Sequence, residues 1–180
     1  MLMKAEAKSL SAEQRAARVR LLVLDVDGVL TDGQLYFGPQ GEALKVFDVR
    51  DGHGIKMLMA NGVEVAWLSA RKSEIVAARA RELGIVRVLQ GESEKANALA
   101  KLLEECGVAG DECGYIGDDL PDLPAMRAAG FAVTVADGCE AAKAAAHWIT
   151  PQSGGRGAVR ALAEFILRAK GVDTESMVRG

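Results

Sequence analysis

Short apolar runs and segments of helical period take turns along most of this chain, and a glycine closes one helix after another. Apolar runs at 21–24, 63–68, 86–89, 113–116 and 131–135, with a short one at 147–149, read as strands. Between and after them, 72–83, 94–106, 123–129, 139–146 and 158–169 read as helices, with Gly84, Gly107 and Gly130 as C-terminal stops. Strands joined by helices in strict alternation run parallel, and right-handed crossovers put helices on both faces. The expected fold class is therefore α/β, a doubly wound parallel sheet.

The first part of the chain departs from this rhythm. Ser11-Ala12-Glu13-Gln14 has the form of a capping box, which opens a short helix to about position 19 within an N-terminal extension over 1–20. After the first strand, apolar stretches at 34–37 and 43–47 flank the turn cluster Gly38-Pro39-Gln40-Gly41, so this part reads as a β-hairpin. A helix over 55–60 then leads into the regular alternation. Positions 21–171 read as one domain and the polar stretch 172–180 as a disordered tail.

Composition narrows the partners. At 180 residues, the chain is long enough for a core that needs no disulfide or metal to hold it. A net charge of −3 and 4% aromatic residues give neither the basic face nor the stacking platforms of a nucleic-acid binder. No apolar stretch approaches a membrane span, and the charged start, with Lys4, Glu6 and Lys8, is no signal peptide. Cys106, Cys113 and Cys139 are odd in number and lack metal-ligand spacing. They read as free thiols in a reducing compartment, so the expected location is cytoplasmic.

The chemistry collects where strands end. Asp25-Val26-Asp27-Gly28 follows the first strand, and paired acids there can hold a divalent cation, attack, or move protons. Taken alone, the same residues also make an ordinary acidic turn. Ser69-Ala70-Arg71 stands at a second strand end, where a hydroxyl and free amides can hold a phosphate oxygen, or where the serine simply caps a helix. Lys95 lies early in the helix opened by Ser93, where the helix dipole disfavours a cation and calls for a nearby anion. Gly117-Asp118-Asp119-Leu120-Pro121-Asp122 puts three acids after a fourth apolar strand, a cluster that repels itself unless a cation binds.

In that order, Asp-x-Asp, Ser, Lys and Gly-Asp-Asp-x-x-Asp resemble the four-motif signature of the haloacid dehalogenase superfamily of phosphotransferases. The resemblance implies Asp25 as nucleophile, Asp27 as general acid/base, and Lys95 as a phosphate holder that also neutralises Asp25. It implies a Mg²⁺ site from Asp25, the Asp27 backbone carbonyl and Asp118, with Asp119 and Asp122 auxiliary, and substrate contacts from Ser69 and its neighbours Ala70 and Arg71. An acid at Asp27 favours hydrolysis over storage of the phosphate, which points to a phosphatase.

The spacings between motifs leave no room for a cap domain, only for the hairpin as a flap. Leu24 to Gly33, Val49-Arg50-Asp51-Gly52-His53-Gly54-Ile55, Tyr115 to Leu120 and Gly154-Gly155-Arg156-Gly157-Ala158-Val159-Arg160 are similar to the capless 3-deoxy-D-manno-octulosonate 8-phosphate phosphatases. That family implies a role in lipopolysaccharide precursor synthesis and a homotetramer with the hairpins at its centre. A flexible Gly154 to Gly157 segment would reach a neighbour's site, and Arg71 and Arg156 would meet the substrate carboxylate. Ser69-Ala70 stands where the family pattern has threonine-glycine, which keeps the hydroxyl but stiffens the loop. His53 reads as a loop residue near the site and His147 as structural. A 9-phosphorylated nonulosonate is the rival substrate. A phospho-receiver module and a silent scaffold are the rivals in other classes.

Overall fold

Residues 10–173 are described by a computed structural model. Six strands, β1 (Leu21–Leu24), β4 (Glu64–Ser69), β5 (Arg87–Gln90), β6 (Cys113–Ile116), β7 (Phe131–Thr134) and β8 (Trp148–Ile149), form one parallel sheet in the order β5-β4-β1-β6-β7-β8. The chain leaves β1 toward one edge and later returns to build the other side. The flanks of β1 therefore form the switch point where α/β sheets collect ligands. Leu24 lies level with Trp67 on β4 and Ile116 on β6, so β1 and β6 end together while β4 runs on to Ser69.

Side-chain alternation along β1 feeds two cores. Leu22 and Leu24 pack with Trp67, Ile55 and Val159 under the helices α1 (Ala12–Ala17), α2 (Val49–Ala60), α3 (Glu74–Leu83) and α7 (Ala158–Ala169). Leu21 and Val23 face Leu99, Leu102 and Met126 of α4 (Lys95–Cys106) and α5 (Leu123–Ala128), with α6 (Glu140–Ala145) alongside. All four β1 residues are fully buried, as a central parallel strand requires. Among the described residues, no helix is long and apolar enough to cross a membrane.

Several boundaries move from their expected places. Helix α1 stops at Ala17, its Ser11 capping box formed as expected. The expected tail begins within the described residues, but 174–180 lie outside them, as do 1–9 of the extension. The hairpin is β2 (Tyr36–Gly38) and β3 (Gly41–Leu44), so Lys45 to Phe47 leave the ladder. Phe47 turns inward instead and stacks on Trp67 with ring centroids 6.3 Å apart. Helix α2 starts at Val49 because Asp48 caps it, accepting from the Arg50 amide at 2.7 Å. Gly52 and Gly54 hide that start in the sequence. His53 accordingly sits exposed on a helix and not in a loop. Lys95 is the first residue of α4, and no side chain caps that helix, Ser93 included.

Candidate active site

The ends of β1, β4 and β6 and the start of α4 converge on an open cavity of about 350 Å³. Asp25, Asp27, Ser69, Ala70, Arg71, Lys95, Asp118, Asp119 and Asp122 all line it. The sequence-predicted site is thus assembled in one place, with the exception of Arg156.

Asp25 continues β1 by donating its amide to the Ile116 carbonyl at 3.0 Å, which fixes its backbone to the sheet. Its side chain is nearly buried, and Lys95 Nζ donates to Oδ1 at 2.6 Å. The loop then turns sharply at Gly28, whose φ is +97°. A Cβ there would lie 2.1 Å from Asp118 Oδ2, so only glycine lets the two acidic loops approach.

Lys95 bridges two acids, donating also to Asp122 Oδ1 at 2.6 Å. Burial works against its charge, but Asp25 and Asp122 outweigh burial and raise its pKa. Asp122 is the organiser. Its Oδ1 also accepts from the buried Tyr115 hydroxyl at 2.7 Å, and its Oδ2 accepts the amides of Asp118 and Asp119 at 3.1 and 3.2 Å. Tyr115 signals nothing of this in the sequence, because it reads there as one more apolar strand residue.

Asp25, Asp118 and Asp122 bring carboxylate oxygens within 4.8 Å of one another, a hard-oxygen set that suits Mg²⁺. With four donors already on Asp122, the free ligand oxygens are those of Asp25 and Asp118. The electrostatics agree that a cation belongs here. Burial, reinforced by Asp122, pushes Asp25 up to about 8 against the pull of Lys95. Burial, Asp122 and Asp119 push Asp118 up to about 6. Asp119 is exposed at the rim.

Ser69, buried at the end of β4, accepts the Arg71 amide on Oγ at 3.1 Å, while Ser73 and not Ser69 caps α3. Arg71 reaches toward Asp27 Oδ2 at 3.9 Å and Glu42 at 3.7 Å. Two site residues were missed from the sequence. Glu42 of β3 and Lys45 just after that strand enter the site, and Lys45 pairs with Asp27 and, at 3.1 Å, with Glu42. The one available signal was a lone lysine between the apolar Leu44 and Val46.

Arg156 does not line this chain's cavity. Its side chain is 69% exposed and lies 3.5 Å from Asp32. Nor is its loop the free arm expected. Gly155 donates to the Val29 carbonyl at 2.9 Å and Gly154 to Asp137 at 2.9 Å. A Cβ on Gly154 would fall 1.8 Å from the Gly28 carbonyl oxygen. The glycines allow close packing on the Asp25 loop rather than reach. His53 stays outside the cavity, and His147 is structural, its Nδ1 accepting the Ala132 amide at 2.9 Å.

Comparison with known proteins places these features in a family. A family model described as haloacid dehalogenase-like hydrolase matches residues 65–162. A 3-deoxy-D-manno-octulosonate 8-phosphate phosphatase of Salmonella typhi is 45% identical over 157 residues, covering 87% of this chain and 84% of that protein. The Escherichia coli K12 protein of the same name matches with the same identity and coverage. Among solved structures, the phosphatase of that name from Moraxella catarrhalis, in complex with magnesium ion, phosphate ion and KDO, superposes with a TM-score of 0.89 at 41% identity. It covers 93% of this chain and 96% of its own. The Yersinia pestis structure gives 0.87 at 44% identity, covering 89% and 86%.

Proposed function

The chain belongs to the haloacid dehalogenase-like hydrolases and, within them, to the 3-deoxy-D-manno-octulosonate 8-phosphate phosphatase family; from that premise we propose that it hydrolyses this sugar acid phosphate to the free sugar acid and phosphate. The observation that carries the reading is Asp25, fixed at the end of the central strand between Lys95 and Asp118 in one open cavity.

Asp25 attacks phosphorus, forming an acyl phosphate as the ester P–O bond breaks, and Asp27 hands a proton to the departing oxygen. Asp27 then takes a proton from the water that attacks phosphorus and releases Asp25. Lys95, Ser69 and the amides of its loop hold the non-bridging oxygens, and Arg71 meets the sugar acid at the mouth. The carboxylates of Asp25 and Asp118 and the Asp27 carbonyl would hold Mg²⁺, whose charge offsets that of the phosphoryl oxygens. Asp122 and Tyr115 orient Lys95.

We place the enzyme in the cytoplasm, in keeping with three free thiols, and infer that it works as a homotetramer. Among the described residues, no cap covers the open cavity. Leu35, Phe37, Leu44 and Val46 of the hairpin region are 45–63% exposed, an apolar surface suited to a second copy. Arg156, projecting from a pinned loop, would then serve a neighbour's pocket.

The test is an assay of purified protein on phosphorylated sugar acids, including 8-phosphorylated octulosonate and 9-phosphorylated nonulosonate, with Mg²⁺ or with chelator. The expected result is Mg²⁺-dependent release of phosphate, fastest from the octulosonate. Preference for the nonulosonate would overturn the substrate, and activity in Asp25→Asn above about a tenth of wild type would overturn the nucleophile.

A further inference from the structure

Asp25 and Asp122 are held in place by the body of the fold, but Asp27 is not. Its backbone belongs to the first loop, while its carboxylate has one hydrogen-bond donor among the described residues, the Lys45 ammonium on Oδ1. Arg71 approaches Oδ2 only to 3.9 Å. Lys45 comes from the segment that follows β3, and its side chain is 1% exposed. A lysine so buried has to be paired, and its second partner is Glu42 Oε1 at 3.1 Å. Glu42 in turn accepts the hydroxyl of Ser73, the N-cap of α3, which fastens the hairpin to the element that follows the Ser69 loop. A continuous polar tie thus runs from Asp27 through Lys45 and Glu42 to Ser73. It is the hairpin's link to the chemistry.

We propose that Lys45 is a positioning residue for Asp27. By holding Oδ1 it leaves Oδ2 for proton exchange with the leaving oxygen, and the hairpin must be in place for alcohol leaving groups to depart. The proposal rests on the reading of Asp27 as the acid. Lys45 makes or breaks no bond to substrate. Its removal therefore costs most where protonation of the leaving group limits the rate, and little where the leaving group is stable as an anion.

The experiment uses the full chain with Mg²⁺ and measures the first chemical step in a single turnover. Substrates are the octulosonate 8-phosphate, with an alcohol leaving group, and 4-nitrophenyl phosphate, whose phenolate leaves without a proton. Lys45→Met is expected to slow the sugar acid phosphate by about tenfold to a hundredfold, the scale of a misplaced catalytic group, and to leave nitrophenolate release within about threefold. Lys45→Arg, which restores a cation, is expected to recover most of the loss. Glu42→Gln retains Lys45 and is expected to show the same selectivity in smaller measure, so the proposal stays testable if the Met variant does not fold. Equal slowing of both substrates in the folded variants, or no slowing of either, overturns the positioning role. Asp27→Asn run alongside separates the two readings. If Asp27→Asn discriminates between substrates and the Lys45 and Glu42 variants do not, only the proposal falls. If Asp27→Asn slows both alike, the acid assignment falls and the proposal with it.

Discussion

Asp122 illustrates how a residue with no part in bond making can govern a site. Its two oxygens serve four donors, two of them backbone amides of the acidic loop itself. In Asp122→Asn one oxygen becomes an amide nitrogen that must face donors, and the charge opposite Lys95 disappears. The cost expected is about 2–4 kcal/mol, from a broken buried network, read as a lower denaturant midpoint. Activity should fall with it, because Lys95 loses half its anchorage. The same carboxylates set a pH dependence. Asp25 and Asp118 are raised to about 8 and about 6, so the metal-free fold holds protons that the unfolded chain gives up near its ordinary carboxylate value. Their contribution to stability is present at low pH and lost as pH rises through 6 and 8. A divalent cation reverses this by favouring the ionised forms. The rise in melting temperature on adding Mg²⁺ should therefore be larger at pH 8 than at pH 5. An equal rise at both values would count against the pair as metal ligands.

At the level of elements, α2 and α7 show a helix pair whose contact depends on a glycine. Replacing glycine by alanine inside an exposed helix ordinarily stabilises by about 1 kcal/mol. At Gly54 the added Cβ would lie 2.9 Å from Arg160 Cα and 3.2 Å from Ala163 Cβ, both on the packed helix α7. Backbone cannot yield as a side chain can, so overpacking wins, and Gly54→Ala should destabilise by about 1–3 kcal/mol in a denaturant titration. Gly54 at this contact and Gly52, which faces Arg79 and Leu83 of α3, also explain why the first turns of α2 were illegible in sequence, since glycine argues against helix unless a neighbour needs the space. The hairpin was legible as a hairpin, through its turn residues, but its end was not. Val46 and Phe47 continue the apolar run, yet Phe47 gains more by stacking on Trp67 beneath the Arg79 guanidinium than by staying in a two-stranded ladder.

For the whole molecule, the apolar face around the hairpin is the feature that asks for a partner. Phe37 is 63% exposed and Val46 is 53% exposed. Phe37→Asp should convert the proposed homotetramer to smaller species in light scattering, and the variant's kcat/KM for the sugar acid phosphate should fall while the single chain stays folded by circular dichroism. An unchanged mass would put the interface elsewhere. The sequence by itself determined the alternating α/β order and the four strand-end motifs, because strand period, glycine stops and clustered acids are local signals. It also carried the resemblance that led to the family. The resemblance already set Asp118 apart from Asp122, but only the tertiary structure shows the physical reason, the four donors that the fold brings to Asp122. It brought Lys45 to Asp27 across the hairpin, and it packed the Gly154 loop onto Gly28 where the sequence suggested a free arm. These are contacts between residues distant along the chain, and no local pattern encodes which donor a carboxylate will meet.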